Sequence, residues 1–207
     1  MRVVAGVAGL ALLALVATGC GGAKSSAQTA VTAAELAVSG AGPDVENVLP
    51  ERLKALQAAA ASAREAFDRK EYQAAAAAAK DIPARVKELA DALPQERTAL
   101  NEEWRTMSMV MPANLDSVRV RLDKLGKSKR LPAGMDATKV DAARQTYEAA
   151  MQEWPVITAA FNGGKLADAL ARASALRVRV SDAMTSVGMT ADDKAWGNLQ
   201  VRPVAPK

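Results

Sequence analysis

Cys20 is the only cysteine in the 207 residues, so no disulfide can form within the chain. The stretch before it has the layout of a secretory signal: Arg2 gives a positive start, residues 3–16 are apolar, and residues 17–19 are small. The apolar run is about fourteen residues long, whereas roughly 20 are needed to span a bilayer. We therefore expect residues 1–19 to be a removable export signal that takes no part in the fold.

The ending Ala17-Thr18-Gly19-Cys20 resembles the lipobox of bacterial lipoproteins. This resemblance implies cleavage just before Cys20 and attachment of lipid to that cysteine. Val16 and Ala17 stand where the family prefers leucine or another aliphatic residue. Gly21 and Gly22 are not the aspartate that favours inner-membrane retention in Gram-negative lipoproteins, so the resemblance implies the outer membrane in such a host. The alternative is an ordinary signal peptide with an incidental cysteine.

Catalytic patterns are scarce in this sequence. Histidine, the commonest general base and metal ligand, does not occur at all. The chain also contains none of the common zinc-protease, nucleophile-elbow, phosphate-loop or dinucleotide motifs. Carboxylate-only and serine–lysine catalysis stay open, but we expect no enzymatic activity and no cofactor.

Three methionines, Met107, Met109 and Met111, alternate with other residues and suggest a copper site, because thioethers are soft ligands that suit Cu(I). On a helix this spacing spreads the three side chains over about 200°, so they would not converge on one ion. The sequence therefore favours core packing over metal binding at these positions.

Six positive residues lie within twelve positions of one another and are opposed there only by Asp123: Arg119, Arg121, Lys124, Lys127, Lys129 and Arg130. Counting Asp116 as well, residues 115–134 carry +4, whereas the chain without residues 1–19 carries 26 basic and 23 acidic residues, or +3. This segment predicts a docking patch for anionic headgroups, acidic envelope polymers or an acidic partner protein. The alternative is a solvated helix and loop.

Four aromatic residues fall on predicted inward faces and could line a ligand pocket: Trp104, Tyr147, Trp154 and Phe161. Filling of the core between many small alanines is the alternative for the same residues.

The predicted fold is all-α, an antiparallel bundle of about six helices built from helical hairpins, because alanine dominates the apolar fraction and favours helices over strands. We expect a lipidated cysteine and flexible tether at 20–43, a helical domain at 44–188 and a loosely ordered tail at 189–207. Within the domain, Pro83 should kink one helix, Pro94 should open the next, and Pro112 should end it. Apolar residues at three- and four-residue spacing predict inward faces on the later helices: Leu115, Val118, Leu122 and Leu125, then Val140, Ala143, Tyr147, Ala150, Trp154, Ile157 and Phe161, and then Leu166, Ala169, Ala173, Leu176, Val180, Met184 and Val187. The last of these helices is predicted to end at Gly188.

The sequence also contains an internal repeat at an offset of 94 residues. Residues 66–86 align without gaps to residues 160–180, and each copy is predicted to be a helical hairpin. Residues 161–169 resemble the turn of a tetratricopeptide repeat, although that family has copies about 34 residues apart. The likeness implies a close helix pair; whether the repeat is a true duplication stays open.

These features favour a lipid-anchored protein that binds or scaffolds at the bacterial cell envelope. The alternatives are a small-molecule carrier with a pocket between Trp104 and Trp154, or an enzyme. We expect a membrane contact through the lipid and an envelope protein or anionic polymer as partner, but no nucleic acid, since the charge surplus is small.

Overall fold

A computed structural model describes residues 19–190 together with Ala195 and Trp196. These residues form seven helices and no strand, so the all-α prediction is confirmed for the described part of the chain. Six of the helices have at least eight residues. The helices are α1 Gly19–Ser39, α2 Gly42–Val48, α3 Pro50–Asp68, α4 Tyr72–Ala79, α5 Ile82–Lys127, α6 Ala137–Asn162 and α7 Leu166–Ser186. The export signal, except for Gly19, and most of the predicted tail lie outside the described residues.

The chain divides into two compact units, whereas one helical domain over 44–188 was predicted. Within the described residues, unit 1 comprises 19–42 and Glu51–Ala90, and unit 2 comprises Pro43–Pro50 and 91–190 together with Ala195 and Trp196. The first part of α5 therefore belongs to unit 1 and the rest of it to unit 2.

Residues 19–39 form helix α1, where the sequence predicted a flexible tether. Ala27, Val31 and Ala34 of this helix are fully buried, at the four- and three-residue spacing of one helix face. Helix α1 packs against α4. Its Glu35 accepts hydrogen bonds from the Arg64 guanidinium of α3, with Nε 2.7 Å from Oε1. The tether prediction is wrong for these residues because small apolar side chains bury little area but allow helices to pack closely.

The structure differs from the sequence prediction at three prolines, Pro83, Pro94 and Pro112. Helix α4 ends at Ala79 and α5 begins at Ile82, so Pro83 lies in the first turn of a new helix, where its missing N–H removes no helical bond. Pro94 and Pro112, predicted to start and stop helices, lie inside α5. Helix α5 continues through both positions while its neighbouring residues Met107, Met111 and Leu115 are buried.

The core of unit 2 follows the predicted stripes. Every residue predicted to face inward on α7 is buried: Leu166, Ala169, Ala173, Leu176, Val180, Met184 and Val187. On α6, Val140, Ala143, Ala150 and Ile157 are buried, whereas Tyr147, Trp154 and Phe161 are half-buried. The predicted inward face of the second half of α5 is also buried, at Leu115, Val118, Leu122 and Leu125.

The two hairpins of the internal repeat turn in the same way. After α3, the amide of Lys70 donates to Phe67 and the amide of Glu71 donates to Ala66, both over 2.9 Å. After α6, the amides of Gly164 and Lys165 donate to Phe161 and Ala160 over 2.9 and 3.0 Å. Both turns are Schellman motifs with a left-handed residue, Lys70 at φ 64° and Gly164 at φ 88°. Those two positions are 94 residues apart, as the alignment requires.

Two residues of the predicted tail are packed on unit 2. Trp196 is buried, and the guanidinium carbon of Arg177 lies 5.8 Å from the centre of its ring. The amide of Ala195 donates to Oδ1 of Asn114 over 2.9 Å. Asn114 is fully buried and donates from Nδ2 to the Val110 carbonyl, so both ends of its amide are satisfied.

Candidate functional site

Cys20 is the second residue of α1. A lipid attached to this cysteine would therefore be joined to the chain at the start of a helix. Ala27, which is fully buried, follows seven residues later, about 10 Å along a helix at the usual rise.

The aromatic residues that predicted a pocket are in contact with one another. The ring centre of Trp104 lies 4.2 Å from that of Phe161 and 5.4 Å from that of Trp154, with interplanar angles of 9° and 18°. Stacked rings at these distances leave no space for a ligand between Trp104 and either partner. Tyr147 makes no ring contact with this stack among the described residues. The structure therefore brings together three of the four predicted residues and fills the space between them with their own rings.

The methionine triplet diverges as its spacing predicted. Met107 and Met111 are fully buried, whereas Met109 is 62% exposed. Within the described residues, no three histidine, cysteine, aspartate or glutamate side chains are grouped as metal ligands.

Two of the six predicted docking residues, Arg119 and Arg121, make polar contacts within the fold. The guanidinium of Arg119 is 2.7 Å from Asp116 and 3.5 Å from Asp123, at the spacing of one helical turn on either side. The hydrogen bonds that Arg119 donates to Asp116 are the main reason that the pKa of Arg119 is raised. Nε of Arg121 donates to the Val187 carbonyl over 2.9 Å, so this cation caps the carboxyl end of α7, where positive charge is favoured.

The remaining four residues form what we call the basic cluster: Lys124, Lys127, Lys129 and Arg130. All four are exposed, and in the described part of the chain no carboxylate lies within ion-pair distance of any of them. Lys124 and Lys127 lie in the last turn of α5, where they also complement the helix dipole. The guanidinium of Arg144 on α6 approaches the same helix end, since a Cβ on Gly126 would lie 3.9 Å from its Nη2.

A groove of about 310 Å³ lies beside the basic cluster, between the second half of α5 and the residues that follow α7. We call it the α5–α7 groove. It is lined by Asp116, Ser117, Val120, Arg121, Lys124, Gly188 and Met189. Arg121 and Lys124 are thus shared between the predicted patch and this groove. Lysine and arginine side chains in such a place bind anions through charge and N–H donation.

Sequence reasoning missed Arg144, Met189 and the polar role of Asn114. Gly188 was predicted only as a helix end, and its positive φ of 73° agrees with that role. Its proximity to Arg121 depends on packing between α5 and α7, which no local pattern in the sequence reports.

None of the helices in the described residues is both long and apolar enough to cross a bilayer. Comparison of the chain with protein-family models, curated proteins and solved structures finds no match.

Proposed function

We propose that this chain is an exported, lipid-anchored helical protein that binds or scaffolds at the bacterial cell envelope. Cys20 carries the lipid, and in a Gram-negative host the protein faces the periplasm from the outer membrane. The basic cluster docks on an anionic component of the envelope. The signal-like stretch before Cys20 supports the location, and the basic cluster supports the docking.

The observation that carries the docking proposal is the separation of paired from unpaired charge on α5. Arg119 forms ion pairs with two aspartates, and Arg121 donates its Nε to a helix end, so both guanidinium groups already have partners in the fold. Lys124, Lys127, Lys129 and Arg130 follow within a few positions and lack carboxylate partners among the described residues. Like charges so close together repel one another, and an anionic surface removes that repulsion.

The expected energy is modest for each residue and substantial for the cluster. A lysine or arginine near an anionic membrane contributes roughly 1 kcal/mol. The attraction extends over a Debye length of about 10 Å at ordinary salt, so it must weaken as salt is added. Four such residues are enough for a reversible contact that supplements a lipid anchor.

The test is co-sedimentation of the chain from residue 19, carrying Cys20→Ser, with anionic vesicles and with purified envelope polymer. One variant carries Lys127→Glu, Lys129→Glu and Arg130→Glu, which lie outside the α5–α7 groove. The matched control carries Lys54→Glu, Lys80→Glu and Arg85→Glu, three exposed positions with the same change of net charge.

We expect the parent protein and the control to bind at low salt and to be released at high salt, while the cluster variant binds much more weakly at low salt. Equal binding by the cluster variant and the control would show that only net charge matters. Binding that salt does not weaken would also contradict docking through this cluster.

The alternative function, a small-molecule carrier, is less well supported, because the rings of Trp104, Trp154 and Phe161 stack on one another where its pocket was predicted.

A further inference from the structure

We infer that the α5–α7 groove binds the phosphate headgroup of an anionic lipid. This inference rests on the proposed function, since it names the envelope component on which unit 2 docks. It also adds a defined pocket to what would otherwise be adsorption through exposed charge.

The groove carries a net positive charge. Asp116, Arg121 and Lys124 all line it. The carboxylate of Asp116 accepts hydrogen bonds from Nε and Nη2 of Arg119 over 3.1 and 2.7 Å. Arg121 and Lys124 are two cations on one wall of the groove, three residues apart and on the same side of the helix. An anionic ligand complements this arrangement.

The guanidinium of Arg121 is held in place before any ligand arrives. Its Nε donates to the Val187 carbonyl, and Gly188 follows with no side chain. A Cβ at position 188 would lie 3.3 Å from Nη2 of Arg121 and 3.3 Å from Cε of Met135, so glycine leaves the space that this guanidinium occupies. A donor fixed in this way loses less side-chain entropy on binding than a free surface lysine does.

The remaining walls favour a lipid over free phosphate. Val120 is 37% exposed in the middle of this basic face, and Met189 is half-buried beside it. These apolar groups can contact the glycerol and first methylenes of a lipid, whereas inorganic phosphate gains nothing from them. A volume of about 310 Å³ is at the lower end for ligand pockets, so it suits a headgroup and not a whole lipid.

The experiment follows the amide NMR resonances of Gly188 and Met189 in the chain from residue 19 carrying Cys20→Ser. Dihexanoyl phosphatidylglycerol is added below its micelle concentration at constant ionic strength. Dihexanoyl phosphatidylcholine, with the same acyl chains and no net charge, and glycerol phosphate, with no acyl chains, serve as comparison ligands.

We expect saturable shifts with phosphatidylglycerol, none with phosphatidylcholine, and binding of glycerol phosphate weaker by about tenfold. Val120→Glu places a carboxylate at the groove and should weaken phosphatidylglycerol binding by about tenfold or more. The matched control is Val178→Glu on α7, an exposed valine that does not line the groove. It should bind as the parent protein does.

Absence of saturable shifts, equal affinity for glycerol phosphate, or unchanged binding by Val120→Glu would each overturn the inference. The variant Lys127→Glu, Lys129→Glu, Arg130→Glu separates this result from the proposed function. Suppose that the parent shows the groove shifts and that this cluster variant adsorbs to vesicles as well as the parent does. Docking through the basic cluster is then contradicted, whereas the groove site is supported. If the cluster variant loses vesicle adsorption but the parent shows no groove shifts, the groove site fails alone.

Discussion

The α3–α4 and α6–α7 hairpins have the same turn geometry but differ in the contacts that their side chains make. Both turns have the same hydrogen bonds, and the residue before each second helix has nearly the same backbone, with φ −83° and ψ 60° at Glu71 and φ −80° and ψ 62° at Lys165. The phenylalanine that precedes each turn is also equivalent. Phe67 packs on Tyr72 of its own hairpin at 5.4 Å and 60°, whereas Phe161 stacks on Trp104 of α5 at 4.2 Å and 9°.

This difference shows that helix-end chemistry determines the path of a turn, while neighbouring elements determine what its side chains contact. In unit 1, Ala63 of α3 and Ala75 and Ala79 of α4 are fully buried, and α4 packs against α1. In unit 2, by contrast, the hairpin packs against large side chains of α5. Substitutions at equivalent positions should therefore have unequal effects.

The largest expected effect is that of Trp104→Ala. Removing the central ring of the stack should lower the unfolding free energy of unit 2 by about 3–5 kcal/mol, since it leaves a cavity against Trp154 and Phe161. Urea titration followed by tryptophan fluorescence measures this, because Trp104, Trp154 and Trp196 all belong to unit 2. In unit 1 the ring that contacts the equivalent phenylalanine is Tyr72, and Tyr72→Leu gives that hairpin the residue of the other copy. It should cost only about 0.5–1.5 kcal/mol, and a Trp104→Ala cost no larger than that would contradict the difference.

The next effect concerns the left-handed turn residues, where substitution should destabilise one hairpin and not the other. Gly164→Ala should destabilise unit 2 by about 1–2 kcal/mol, because an L-residue is strained at positive φ. Lys70→Gly relieves the same strain and should stabilise unit 1 or leave it unchanged, since glycine also increases the entropy of the unfolded chain. Thermal unfolding followed by circular dichroism checks both. Effects of the same sign and size would show that the two turns are not equivalent.

The smallest effect belongs to the ion pair that joins α1 to α3 in unit 1. Hydrogen bonding to Arg64 is the main reason that the pKa of Glu35 is lowered. A carboxylate with a lowered pKa stabilises the fold fully above its unfolded pKa, about 4.3 for glutamate, and loses this contribution as the pH falls through the folded value. Glu35→Gln should therefore be less stable than the parent at neutral pH and equally stable in acid.

The matched control for this prediction is Glu88→Gln, an exposed glutamate on α5. Its stability should follow that of the parent at every pH. A deficit of Glu35→Gln that persists unchanged at acid pH would show that packing, and not the charge, was lost.

The sequence was most informative where apolar residues recur without interruption. All the predicted inward residues of α7 are buried. They could be predicted because glycines mark both ends of the helix and its apolar residues recur with a clear period. It was least informative at α1, where glycine and serine hide the stripe Ala27, Val31 and Ala34. The sequence also predicted helix boundaries at Pro94 and Pro112 that α5 does not have, since its tertiary packing outweighs one missing hydrogen bond at each proline.

The candidate site was only partly predictable for a related reason. The inward face at Leu115, Val118, Leu122 and Leu125 correctly separated the charged side of α5 from the buried one. The use of Arg121 as a helix cap depends on Val187, which is 66 residues away in the chain. Local spacing revealed the concentration of charge but not which charges are already neutralised.

The location of the protein is tested most directly by Cys20→Ser expressed in a bacterial host with a fatty-acid probe. We expect the parent to be labelled and to sediment with the membrane fraction. The variant should lose the label and its stable membrane attachment, because the basic cluster alone gives only a salt-sensitive contact. A variant that stays labelled, or that remains in the membrane fraction after a high-salt wash, would contradict lipid anchoring at Cys20.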